Sequence, residues 1–222
     1  MFIGTSQTIG AGARDLDETF FARVHHHLRD ALPHDNAVES FNVSVSGLQA
    51  RELLSEYEGH YQGLHPNLVV INLSNTDVDP QSFSTSMRRF LMLNQESGIK
   101  TLLIEEANSR EHTSHLLVNH RELEKLGAEF HVAVYSLHEY LNQPSIVARG
   151  ALWWDPVHLT SYGHELVSDW LTPKLLIVAS ARTKCPPRAR PLCRGRFESC
   201  AGAASMNALR SLRALRLLVV TA

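Results

Sequence analysis

Two short stretches carry residue types suited to chemistry. Near the start of the chain, Gly4-Thr5-Ser6-Gln7-Thr8-Ile9-Gly10 places one serine between a short apolar run and a glycine-bounded turn. A serine becomes a nucleophile when a sharp strand-to-helix turn exposes its Oγ and leaves nearby backbone N–H groups free to hold an oxyanion. Far downstream stands Asp155-Pro156-Val157-His158. A spacing of three puts both side chains on one side of a single turn, so the carboxylate can hold the imidazole in the tautomer a general base needs. Each stretch also has a plainer reading: Ser6 as an ordinary turn residue, and Asp155 as the capping residue of a turn that leads into a helix.

Such groups act only if elements bring them together. Strand-length apolar runs lie at Met1–Ile3, Ala37–Val45, Leu68–Leu73, Thr101–Glu105 and Phe130–Ser136, and the continuous run Leu68-Val69-Val70-Ile71 has the pattern of a strand covered on both faces. Between them, the spacing predicts helices over Glu18–Leu32, Gln49–Tyr57, Gln81–Gln95, Thr113–Leu126 and Ser161–Leu176. Phe20, Phe21, Val24, Leu28 and Leu32 make one apolar stripe that Pro33 stops, and Ser161 is the expected N-cap of the last helix. This alternation predicts right-handed crossovers and a three-layer α/β/α sandwich with a mostly parallel five-stranded sheet. Ligands in such folds bind beyond the carboxyl ends of the strands, where both quoted stretches fall.

In order along the chain, these pieces resemble the SGNH (GDSL-type) hydrolase superfamily, esterases, lipases and acyltransferases on a flavodoxin-like sandwich, over about residues 2–176. Gly4-Thr5-Ser6 is similar to the family's GDS block, with Ser6 as nucleophile and Thr5 in place of the Asp. Val45-Ser46-Gly47-Leu48 looks like the second block, which makes Gly47 an oxyanion donor beside the Ser6 N–H. Asn72-Leu73-Ser74-Asn75-Thr76-Asp77 follows the third strand where the family has Gly-x-Asn-Asp. Aligning Asp77 puts Thr76 at the oxyanion position, and a shift of one residue puts Asn75 there; Asn75 is favoured because an amide is a fixed donor. Asp155 and His158 look like the family's DxxH. The resemblance implies hydrolysis of esters of small molecules or carbohydrates through a Ser6–His158–Asp155 triad and an acyl-enzyme, with no metal or organic cofactor. Transfer of the acyl group to an alcohol, or a non-catalytic binding domain on the same fold, are the alternatives.

Beside these, Trp154 and Asn108 are expected to contact substrate, against a plainer reading of rim packing and loop formation. His25-His26-His27 is no chelate, since neighbours about 100 degrees apart on a helix cannot share one ion; His112, His115 and His120 are expected at the surface. Residues 181–222 hold nine of the 21 basic residues, one of the 23 acids and all three cysteines, but no histidine. This composition divides the chain into a hydrolase-like domain, 1–178, and a basic tail, 179–222, expected to be disordered or partly helical. The spacing of Cys185, Cys193 and Cys200 matches no zinc pattern. The tail's single aromatic, Phe197, argues against a nucleic-acid partner. No run approaches the roughly 18–20 apolar residues of a membrane span. Met1 to Thr8 lacks the basic opening and apolar core of a signal peptide, so a cytoplasmic location is expected unless a segment precedes the short first strand.

Overall fold

A computed structural model describes residues 1–32, 38–110, 114–180 and 218–219. Five parallel strands form the sheet: β1 (Phe2–Gly4), β2 (Phe41–Asn42), β3 (Leu68–Asn72), β4 (Lys100–Glu105) and β5 (Ala133–Ser136). Their order is β5-β4-β3-β1-β2, and β6 (Leu218–Val219) pairs in parallel with the outer edge of β2. The order reverses at β1, which lies between β2 and β3, so the ends of these three strands converge at a topological switch point.

Alternation along the strands sorts the core into two faces. Ile3, Val69, Ile71 and Leu103 pack under α3 (Ala50–Glu56), α4 (Pro80–Glu96) and α5 (Ser114–Phe130). Phe2, Val70, Leu102 and Ile104 point the other way, onto α2 (Phe20–Ala31) and α8 (Ser161–Ser180). The register pairs Phe2 with Val70 and Ile3 with Ile71, which keeps each set on its own face. Short helices α1 (Ser6–Ile9), α6 (Leu137–Leu141) and α7 (Pro144–Val147) complete the layers.

Several boundaries differ from the sequence expectation. The β2 ladder is short because Asn42 turns its side chain onto the backbone: Oδ1 accepts the Ser44 N–H and Nδ2 donates to Thr8 O. The chain nevertheless tracks β1 onward, with Val43 N–H on Phe2 O and Val45 N–H on Gly4 O. Helix α2 ends on Leu32 at φ −93° and ψ 149°, the extended conformation that a following proline imposes. Helix α5 runs on to Phe130, and His131 at φ 56° then turns the chain into β5. The cap of α8 is Thr160, whose Oγ1 accepts the Gly163 N–H; Ser161 instead accepts the Arg14 N–H. Ala37, His112, Thr113 and most of the basic tail, its cysteines included, lie outside the described residues; Leu218–Val219 are strand rather than the disorder or helix expected of the tail.

Candidate active site

The DxxH loop is shaped by its own aspartate. Trp153 and Leu159 form an antiparallel bridge, and Trp154 N–H donates to His158 O at 2.9 Å, closing the loop into a tight reversal. Inside it, Asp155 Oδ1 accepts the N–H groups of Val157 and His158, both at 2.8 Å. The second oxygen, Oδ2, lies 2.6 Å from His158 Nδ1. Burial raises the Asp155 pKa, but these hydrogen bonds outweigh it and hold the carboxyl below its usual range. The other imidazole nitrogen, Nε2, lies 2.8 Å from Ser6 Oγ. Sequence positions 6, 155 and 158 thus meet as one hydrogen-bonded chain from hydroxyl to carboxylate.

Ser6 is the first residue of α1, directly after β1, so its N–H has no partner within the helix. Gln7 is buried and straps the turn to its neighbours: Nε2 donates to Ala107 O at 2.7 Å and to Val157 O at 2.6 Å. Ser109 adds a second tie, its N–H and Oγ both donating to Pro156 O. Gly47 sits in the turn after β2 at φ 77°, which a side chain would strain although the space around it is open.

Hydrogen bonding separates Asn75 from Thr76. Thr76 Oγ1 donates to Leu48 O at 2.8 Å, and Asp77 accepts the Ala50 N–H with both oxygens, so these two residues fasten the third-block loop to the second block and to the start of α3. Burial raises Asp77 to about 6. Asn75 Oδ1 accepts from Asn108 Nδ2 at 3.1 Å, which fixes the orientation of the amide; Nδ2 gives one hydrogen to Ala107 O and retains a second. Asn108 is 4% exposed; its Nδ2 donates to Asn75 Oδ1 and its Oδ1 accepts the Arg110 N–H. Trp154 is 73% exposed beside the loop.

Four groups around this edge were not anticipated. Glu106 is fully buried; its Oε2 accepts the N–H groups of Ser74 and Asn75, both at 2.7 Å, and its Oε1 accepts Thr5 Oγ1 at 2.8 Å. Burial pushes its pKa up to about 7 against these bonds. Asn119 holds the same loop from the other side, donating to Ser74 O and Asp77 O. His120, expected at the surface, is buried with Nε2 3.2 Å from Ser74 Oγ, because α5 packs its face onto the third-block loop; burial, then the neighbouring His138, lowers it to about 4. His115 is half-buried, with Nε2 3.3 Å from Asn75 O. Only the position of Glu106 at the end of β4 hinted at its role. Of the three consecutive histidines, His25 alone is buried. Among the described residues no cluster of three or more ligating side chains could hold a metal ion, and no helix is long and apolar enough to cross a membrane.

No protein-family model and no curated protein sequence matches the chain. Solved structures do. An acetyl xylan esterase superposes with a TM-score of 0.68 at 18% identity, over 79% of this chain and 100% of that one. The chain has an SGNH-hydrolase fold. An acetylxylan esterase from Geobacillus stearothermophilus gives a TM-score of 0.66 at 18% identity, covering 82% of this chain and 93% of its own. A protein assigned to the G-D-S-L lipolytic family from Desulfitobacterium hafniense gives 0.64 at 16%, covering 78% and 96%. At such identities the likeness concerns architecture, and the chemistry rests on this chain's own residues.

Proposed function

We propose that the chain is a serine esterase of the SGNH type. The observation that carries this reading is the 2.8 Å contact between Ser6 Oγ and His158 Nε2, with Asp155 behind the imidazole at 2.6 Å. His158 takes the Ser6 proton as Oγ attacks the ester carbonyl, and Asp155 stabilises the imidazolium that forms. The tetrahedral oxyanion is held by the N–H groups of Ser6 and Gly47 and by the remaining N–H of Asn75 Nδ2. His158 returns its proton to the leaving alcohol, and water repeats the sequence in reverse on the acyl-enzyme.

Hydrolysis is favoured over transfer to an alcohol because the site is open to water: the side chain of His158 is 25% exposed and that of Asp155 39%. A non-catalytic role gains no support, since the triad groups are within hydrogen-bond distance in the free protein. For substrate, we infer a short acyl ester on a carbohydrate. Structural neighbours include acetyl xylan esterases and a two-domain esterase active on acetylated mannans. The exposed Trp154 offers an apolar face on which a sugar ring can stack. The test is deacetylation of acetylated xylo- and manno-oligosaccharides beside simple aryl acetates. Release of acetate by wild type but not by His158→Ala supports the reading; equal release by both opposes it. Trp154→Ala is expected to raise KM for the oligosaccharides and not for the aryl ester.

A further inference from the structure

The oxyanion donors assigned to this site come from three separate strand ends, and something must hold them in register. Ser6 follows β1, Gly47 follows β2 and Asn75 follows β3. A displacement of about 1 Å is enough to cost a hundredfold in rate. The N–H groups of Ser74 and Asn75, in the loop that follows β3, have no partner in the sheet ladder, since β3 ends at Asn72. Both converge on one oxygen, Glu106 Oε2, at 2.7 Å each. The other oxygen of the same carboxylate takes the hydroxyl of Thr5, the residue that immediately precedes the nucleophile.

We propose that Glu106 is the positioning residue of this site: one buried carboxylate from the end of β4 clasps the Asn75 loop and the Ser6 turn together, and so sets the Asn75 amide against Ser6. The inference rests on the esterase reading above. Among the described residues no other hydrogen bond reaches from Thr5 to the Ser74–Asn75 backbone; the Asn75 side chain has a separate link to the nucleophile turn through Ala107 O, which accepts from both Gln7 Nε2 and Asn75 Nδ2. Asn119 and Thr76 hold the loop to α5 and to the second block, and Gln7 and Ser109 tie the nucleophile turn and β4 loop to the DxxH loop. The pairing also accounts for Thr5. An acid there would face a buried Glu106 carboxylate, two like charges away from water, whereas a threonine hydroxyl donates to it.

A neutral isostere should serve nearly as well as the carboxylate. In Glu106→Gln, Oε1 can receive both backbone N–H groups while Nε2 donates to Thr5 Oγ1, which turns to accept. In Glu106→Ala the two amides lose their acceptor and Thr5 its partner. The proposal therefore separates a geometric role from a merely structural one by rescue.

The experiment is steady-state kinetics of the full chain on an aryl acetate, with melting temperature followed in parallel. Expected are a fall in kcat of about a hundredfold for Glu106→Ala with KM within about threefold, and recovery to within about tenfold of wild type in Glu106→Gln. Thr5→Asp decides the matter independently, including where Glu106→Ala does not fold. It should lose activity alone and regain at least tenfold in Thr5→Asp/Glu106→Gln, because the glutamine amide then donates to the new carboxylate. A Glu106→Ala enzyme with wild-type kcat, equal losses in the alanine and glutamine variants, or no gain in the double variant over Thr5→Asp would each overturn the proposal. A wild-type protein with no esterase activity would instead overturn the reading beneath it.

Discussion

Asp155 does two things with one side chain, and they can be taken apart. Oδ1 receives two backbone N–H groups and shapes the loop, while Oδ2 holds His158 Nδ1. In Asp155→Asn the amide oxygen can keep the loop bonds, but the NH2 group now faces Nδ1 and forces the proton onto Nε2. The imidazole then cannot take the Ser6 proton. Activity is expected to fall by about 10⁴-fold with little change in melting temperature, to be checked by kinetics and a thermal melt on one preparation. The oxyanion assignment is tested in the same way. Asn75→Ala is expected to lower kcat by about 10²- to 10³-fold, and Thr76→Val, whose hydroxyl is occupied by Leu48 O, far less. His164 makes a stability prediction. It is buried against Phe20 and lowered to about 4, chiefly by burial. The unfolded imidazole binds a proton at about 6.5 and the folded one only near 4. Stability from this group is therefore complete above pH 6.5 and is lost as pH falls toward 4, by an amount on the order of 3 kcal/mol. His120 slopes the same way, whereas Asp77 and Glu106, both raised, slope oppositely, so the check is a difference. Urea denaturation at pH 7.5 and pH 5 should show His164→Phe losing less stability on acidification than wild type.

The elements that carry these residues are positioned by close contacts at their ends. Helix α8 begins directly after the DxxH loop, and Gly163 in its first turn lies against that loop: a Cβ there would come within 2.4 Å of Leu152 O. Leu152 O is the acceptor for Thr160 N–H, so the intrusion falls on the hairpin that carries Asp155 and His158. Gly163→Ala is expected to cost about 1–3 kcal/mol and to lower kcat, read by denaturation and by assay. At this scale the sequence was legible where local chemistry decides and silent where it does not. The apolar stripe of α2 and the Asp155–His158 spacing are local, and both were readable. Donor chemistry alone favoured Asn75 over Thr76; that the Thr76 hydroxyl is taken by Leu48 O, from another strand's loop, was not readable. Glu106 was hidden for the same reason: its three partners come from the ends of β1 and β3. His120 misled, because its burial depends on which face of α5 meets the third-block loop.

For the whole molecule, the strand order was not readable residue by residue, yet it is what makes the site. Placing β1 between β2 and β3 brings the Ser6 turn, Gly47 and the Asn75 loop to one edge, and α8 returns the chain so that His158 meets Ser6. Residues 1–178 supply every group in this constellation. A chain ending at residue 180 loses from the described structure only the two-residue β6 on the outer edge of β2. It should keep full esterase activity and melt within a few degrees of the full chain, as calorimetry and assay of both can establish. Every activity prediction above depends on Ser6 being a nucleophile activated by His158. That role is tested most directly by incubating the protein with a serine-directed phosphonate and measuring intact mass. Wild type is expected to gain one phosphonyl adduct and Ser6→Ala none, with His158→Ala labelled far more slowly; an unlabelled wild type, or equal labelling of wild type and Ser6→Ala, would show that Ser6 is not the nucleophile.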